Sequence, residues 1–258
     1  MLKGIERVSG KKQRIKDVLI DGTTVFLDGI IAVARGEAPV RLSERPAFRE
    51  RLERSRRGLL AALAADVPVY GVNTGYGKSC GNRLKINAVL GNGGNMMRFH
   101  GCGTGAPLGI EETRAAMLCR LICLARGYSG VSWALLEQLA AFLNRGLTPV
   151  VPAEGSVGAS GDLTPLSYIL AALAGERDVV YAGQRLPARR ALKRAGLKPY
   201  RFGAKEPLAM INGTSVMTGI AAVVLDRADY LMRAAVDATA LSVHALQGKA
   251  HHYHPVIG

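Results

Sequence analysis

The chain has 258 residues, 48% hydrophobic and 21% charged, long enough to bury a core and close to the make-up of globular domains. Aromatic residues are only 5%, with Trp133 the single tryptophan, which argues against a β-sandwich and for an Ala/Leu-rich helical protein. Thirty-four Lys and Arg stand against twenty Asp and Glu, but the basic runs starting at Lys11, Arg49 and Ala188 are spread and carry no interleaved aromatics, so they read as solvated faces, with no nucleic-acid partner.

Residues 1–16 form a basic N-terminal tail without an apolar signal region, and the expected setting is cytoplasmic. "VLIDGTTVFL" is strand-like, with a turn at Asp21-Gly22, and "DGIIAVARGE" reads as a helix stopping at Gly36. Ser43 is placed to cap the next helix, which has Pro46 in its first turn and runs to about Ala65. A glycine-rich loop covers Val69–Asn82, a helix is expected over Leu84–Met97, and "RFHGCGTG" makes a second loop. "EETRAAMLCRLICLARG" and "SWALLEQLAAFLNRG" are two helices, each ended by glycine. Cys119 and Cys123, one helical turn apart, are expected to be buried thiols, because no metal-ligand partners stand beside them.

Beyond a third loop, "VVPAEGSVGASGDLTP", come a helix from about Pro165 to Ala174, a hairpin at "DVVYAGQRL" and a short basic helix at "PARRALKRAG". From Thr214 to Gln247 there is no proline and one glycine, Gly219. Met217, Ile220, Val224, Leu231, Ala235 and Ala238 recur at helical steps, and Arg233 is spaced to pair with a neighbouring acid. A helix of over thirty residues belongs to a bundle, so the fold class is mainly α. No apolar run reads as long and charge-free enough to span a membrane. His251, His252 and His254 near the end read as a polar helix end, and no metal is expected.

The third loop raises a chemical question. If the backbone at Ala159-Ser160-Gly161 bends sharply, the Gly161 amide nitrogen can attack the Ala159 carbonyl carbon and close a five-membered ring. A residue without a side chain tolerates that approach, which gives Gly161 a reason to be glycine. Loss of water from the ring and from the Ser160 hydroxyl leaves an exocyclic methylene conjugated to the ring carbonyl, a protein-made electrophile. Asp162 stands where it could assist the proton transfers, and the helix that follows would direct its positive end at the ring. The bland alternative is a helix-capping turn with Asp162 or Thr164 as the cap.

"GSVGASGDLTPLSYI" resembles the signature of the aromatic amino acid lyases, the histidine, phenylalanine and tyrosine ammonia-lyase family. "VYGVNTGYGK" is similar to that family's tyrosine-bearing loop, "EPLAMINGTSVMTG" to its asparagine-bearing segment, and "NMMRFHGCGTG" to the segment that contacts the substrate ring. The resemblance runs in family order from about residue 17 to the end. It implies a MIO-bearing domain over 17–205 and, over 206–258, the first long helix of a central bundle. It also implies that Ala159, Ser160 and Gly161 form 4-methylideneimidazole-5-one (MIO). Tyr70, beside Gly71, would be the active-site tyrosine for proton transfer, and Asn212 would hydrogen-bond the MIO region and orient substrate. Phe99 and His100 would face the substrate side chain. The family's ranking pair is Ser-His in histidine lyases, His-Leu in many tyrosine lyases and Phe-Leu in many phenylalanine lyases; Phe-His matches none fully. Phe99 is an apolar wall suited to an unsubstituted phenyl ring, and His100 could donate to a ring hydroxyl or satisfy itself within the loop, which puts phenylalanine first, tyrosine next and histidine third. A phenol can take the β-proton only if surrounding dipoles lower its pKa.

Family members continue through a much longer C-terminal portion that carries a second tyrosine and a carboxylate-binding arginine. The expectation is therefore an aromatic amino acid ammonia-lyase, or one half of it, in a homo- or hetero-oligomer whose other chain supplies the remainder. A 2,3-aminomutase is the near variant. A non-catalytic helical subunit is the alternative of another class. The long helix would expose its apolar stripe unless something covered it.

Overall fold

The computed structural model describes residues 15–84, 92–158 and 160–256, and these are mainly helical. Strand β1 (Val18–Ile20) pairs in parallel with β2 (Val40–Leu42), Val18 opposite Val40, and helix α1 (Leu27–Ala34) is the crossover between them. Gly36, at φ 76°, turns the chain out of α1 as expected. The second strand was not legible, because three residues show no alternation until their partner is known. Helix α2 (Pro46–Ala64) opens on its proline. Its cap position falls on Arg45, and the Ser43 hydroxyl accepts from the Arg45 amide at 3.3 Å without reaching the helix.

Helix α3 (Asn92–Phe99) ends two residues later than expected, while the start of the helix anticipated at Leu84 falls largely outside the described residues. Strand β3 (Thr104–Pro107) pairs antiparallel with β5 (Pro152–Glu154), bringing the second and third glycine-rich loops side by side. Between them lie α4 (Ile110–Ala125), α5 (Trp133–Asn144) and β4 (Thr148–Pro149). Ser132 caps α5 by accepting from Leu135 N–H. Helix α6 (Leu163–Leu173) is followed by the expected hairpin, β6 (Asp178–Tyr181) and β7 (Gln184–Pro187). Its two-residue turn puts both Ala182 and Gly183 at positive φ, the twist that suits a tight hairpin. Helices α7 (Ala188–Arg194), α8 (Glu206–Ile211) and α9 (Ser215–Ala245) complete the chain.

Helix α4 is the centre of the core. Met117, Leu118, Leu121 and Leu124 are fully buried, and α1, α5 and α9 pack around the helix. Cys119 is buried on it, but Cys123 is exposed, which corrects the expectation for the second thiol: that side of the last turn faces outward. Arg114 is buried and donates to Val33, Ala34 and Leu143 carbonyl oxygens, so one guanidinium closes the C-terminal ends of α1 and α5. Burial without a carboxylate pushes its pKa below the ordinary arginine value.

Helix α9 meets α4 through small residues. A methyl group added at Gly219 would stand 2.7 Å from Ala116 Cα and 2.8 Å from the Ala115 carbonyl carbon, so the two backbones touch. The buried residues of α9 are Ser215, Val216, Gly219, Ala222 and Val223. The stripe read from the sequence lies on another face, with Val224 and Leu231 exposed. Arg233 pairs with Asp229 at 3.0 Å, and Asp226 holds Arg35, just past the end of α1, at 2.6 Å. One reading needs correction. The stretch Glu206–Ala245 does contain a window long and apolar enough to cross a membrane, and half of that window is buried within the chain. The buried residues of α9 all lie between Ser215 and Val223, where the helix packs on α4.

Candidate active site

The loop between β5 and α6 is bent as tightly as its residues suggest. Gly158 has φ 65° and Ser160 φ 63°, a left-handed conformation that costs a non-glycine residue about 1 kcal/mol. Ala159 lies outside the described residues. Ser160 is exposed, whereas Gly161 is buried against the end of α8. A methyl group on Gly161 would stand 2.5 Å from Asn212 Oδ1 and 2.8 Å from the Gly213 nitrogen. Only glycine fits there, and the close approach brings together two of the residues singled out in the sequence.

Asp162 fastens this contact. Its N–H donates to Gly213 O at 2.8 Å, its Oδ1 accepts from Ser156 Oγ at 2.8 Å, and its Oδ2 accepts from Val216 and Met217 N–H at 3.0 Å each. The carboxylate thus caps α9, fifty-odd residues away, and makes no side-chain hydrogen bond to its own helix α6. The sequence left Asp162 between proton transfer and a local cap; its hydrogen bonds belong to a long-range cap.

Tyr70 sits on a loop held from within. Asn73 is buried, accepts from Val69 N–H at 2.7 Å and donates to Val67 O, while Thr74 Oγ1 accepts from Gly71 N–H. Gly71, at φ 64°, leaves room for the Tyr76 ring and for Leu208 of α8; a methyl there would stand 2.5 Å from Tyr76 Cε1. The Tyr70 loop therefore packs on the helix that ends at Asn212. The Tyr70 ring meets Tyr76 edge-on at 6.2 Å, and its hydroxyl accepts from Gly77 N–H at 3.1 Å. Half of Tyr70 remains exposed.

Phe99 closes α3 and His100 follows it, their rings perpendicular at 5.1 Å. Phe99 is 81% exposed. His100 is half-buried, and that burial lowers its pKa below the ordinary histidine value. The segment after them touches both ends of the bent loop: Gly103 lies against Gly155 before the bend and Thr164 after it. The sequence missed Gly103, Leu208 and Gly213 as parts of this arrangement. Gly213 had a signal, since it adjoins Asn212 within the quoted motif, but a packing role for glycine shows only when its neighbour is known. At the far end, His251 and His252 stack edge-on and His254 Nδ1 accepts from Val256 N–H. Among the described residues, no group of three His, Cys, Asp or Glu stands together as a metal site.

The model of the aromatic amino acid lyase family matches residues 25–258. A histidine ammonia-lyase of Gloeobacter violaceus is 45% identical over 231 residues, which cover 90% of this chain and 45% of that protein. A histidine ammonia-lyase of Myxococcus xanthus is 42% identical over 240 residues, covering 93% and 47%. Among solved structures, the phenylalanine aminomutase of Pantoea agglomerans superposes with a TM-score of 0.86 at 30% identity, over 94% of this chain and 46% of that one. The chain thus spans a little under half the length of the curated relatives it matches.

Proposed function

This chain belongs to the aromatic amino acid lyase family, and from that premise we propose that it is the part of an ammonia-lyase that builds the electrophile and presents it to an aromatic amino acid. The observation that carries the reading is the fit of Gly161 into the Asn212–Gly213 turn, with Ser160 exposed beside it. Ala159, Ser160 and Gly161 are the residues that would become MIO, an electrophile able to capture an amine and make it a better leaving group. Gly161 supplies the nitrogen without a side chain to obstruct it. Asn212 sets its amide oxygen on the open side of the Gly161 α-carbon, and Asp162 holds the turn to α9. Tyr70 is the proton-transfer residue in this reading, on a loop whose buried Asn73 and Thr74 fix its course.

Histidine becomes the favoured substrate, ahead of the phenylalanine and tyrosine that the Phe99–His100 pair suggested in the sequence. A neutral His100 has one ring N–H to donate and one ring nitrogen to accept, which complements another imidazole. The two curated relatives above are named histidine ammonia-lyase. A 2,3-aminomutase is the second reading, supported by the superposition on an aminomutase. A cytoplasmic oligomer, with another chain contributing to the site, belongs to the same proposal.

The test is the intact mass of the purified chain, followed by ammonia release from histidine, phenylalanine and tyrosine. A deficit of two waters within Gly155–Pro165, abolished by Ser160→Ala, is expected. An unmodified mass in both proteins would refute the reading, and the non-catalytic helical subunit would replace it.

A further inference from the structure

Helix α6 leaves the Ser160-Gly161 turn and ends at a reverse turn that reaches back to α3. Two consecutive residues of that turn touch the two residues that bracket Phe99–His100. Glu176 Oε1 faces Arg98 Nη2 at 3.7 Å, and Arg177 Nη2 donates to Gly101 O at 2.9 Å. Tyr168, buried on α6, completes the contact: its hydroxyl lies 3.2 Å from Gly101 O and 3.3 Å from Gly103 O. The Arg177 guanidinium carbon sits 4.1 Å from the centre of the Tyr168 ring, so cation and phenol share one carbonyl. Gly101 has no room for a side chain, because a methyl there would run into the Arg177 guanidinium and stand 2.7 Å from Met97 O.

Two features set this cluster apart from ordinary packing. Arg177 is exposed, so it fills no core space. It also holds φ 60°, a left-handed conformation that a long side chain adopts only when its surroundings over-determine it. Of the neighbouring pair, Phe99 is 81% exposed and has little packing of its own to fix it.

We propose that Tyr168 and Arg177 form a clamp that fixes Phe99–His100 relative to the Ser160-Gly161 turn, and that they are positioning residues for the choice of substrate ring. The proposal rests on Phe99–His100 being the ring-facing pair. Helix α6 is the rigid link, with the Ser160-Gly161 turn before its N-terminal end, Tyr168 midway along it and Arg177 in the turn that follows it. The clamp acts through Gly101 and touches no substrate.

The test uses the full chain with Arg177→Met, Arg177→Lys and Tyr168→Phe, all accessible without a change of core volume. Amide hydrogen exchange in the substrate-free protein comes first. The His100 and Gly101 N–H groups, bonded to Met96 O and Arg98 O, are expected to exchange about tenfold faster in Arg177→Met, with the α4 amides unchanged and Arg177→Lys in between. Unaltered exchange at His100 and Gly101 would overturn the clamp. Steady-state kinetics follow: KM for the preferred amino acid should rise about fivefold to tenfold and the ratio of kcat/KM between histidine and phenylalanine should shrink. In the same variants kcat should stay within about twofold and the two-water mass deficit should persist. A loss of kcat with KM and the ratio intact would reject a positioning role. A parent protein without ammonia release would sink the proposed function alone, and the exchange measurement would still decide the clamp.

Discussion

Replacing Asp162 with alanine tests whether the Ser160-Gly161 turn is welded to α9. The carboxylate accepts three hydrogen bonds, two from the first amides of α9 and one from Ser156, and only 2% of the residue is exposed. Loss of a helix cap costs about 1–2 kcal/mol, and a buried amide left without an acceptor adds about 1–3 kcal/mol. Val216 N–H is buried and cannot turn to water, whereas Met217 is half exposed and partly compensates. The sum is about 3 kcal/mol for Asp162→Ala, a fall in Tm of roughly 6–12 °C for a chain of this size. Asp162→Asn keeps one oxygen for the two amides and turns its NH2 toward Ser156 Oγ, which can accept, so about 1 kcal/mol is expected. Urea unfolding, with the slope held common to all three proteins, measures both values. An alanine variant within about 0.5 kcal/mol of the parent would refute the long-range cap.

Gly219→Ala should destabilise the protein by about 1–2 kcal/mol, because forcing α9 off the α4 backbone outweighs the gain in helix propensity. Gly58→Ala, in α2 with nothing within 4 Å, should instead stabilise by up to about 1 kcal/mol; urea midpoints moving in the same direction for both would sink the argument. Burial raises the Cys119 thiol to about 11, so iodoacetamide at pH 8 should label Cys80, Cys102 and Cys123 while Cys119 reacts only on unfolding. Peptide mapping that finds native Cys119 alkylated as fast as Cys102 would contradict the packing of α4.

What could be read from the sequence was local. Glycine stops placed the ends of α1, α4 and α5, Pro46 placed the start of α2, and the long proline-free run gave α9 to within two residues at each end. The candidate residues stood out because glycine, serine and asparagine crowd where helices begin and end. What stayed hidden depends on partners far along the chain. Strand β2 exists because β1 lies beside it, and β3 because β5 does. The buried face of α9 was obscured for a simple reason: its contact residues are Ser, Gly, Ala and Val, which carry less hydrophobic signal than the exposed Met and Leu. Asp162 looked like a cap for the helix that follows it, and only the fold shows that the amides it serves belong to α9. Arg177 gave no sign of its role, since an arginine between Glu176 and Asp178 reads as surface.

Were α9 to turn about its close contact at Gly219, it would act as a geared lever. From Gly219 the helix runs about 39 Å to Ala245 but only about 4.5 Å back to Val216, at 1.5 Å per residue. A sideways swing of about 5° pivoting on that contact would carry Ala245 by about 3.4 Å and Val216 by about 0.4 Å. The amides that hold Asp162 then stay within hydrogen-bonding reach of it, since they start at 3.0 Å. A fulcrum there, so close to the Ser160-Gly161 turn, would reduce movement of the distant arm almost ninefold before it reached the turn.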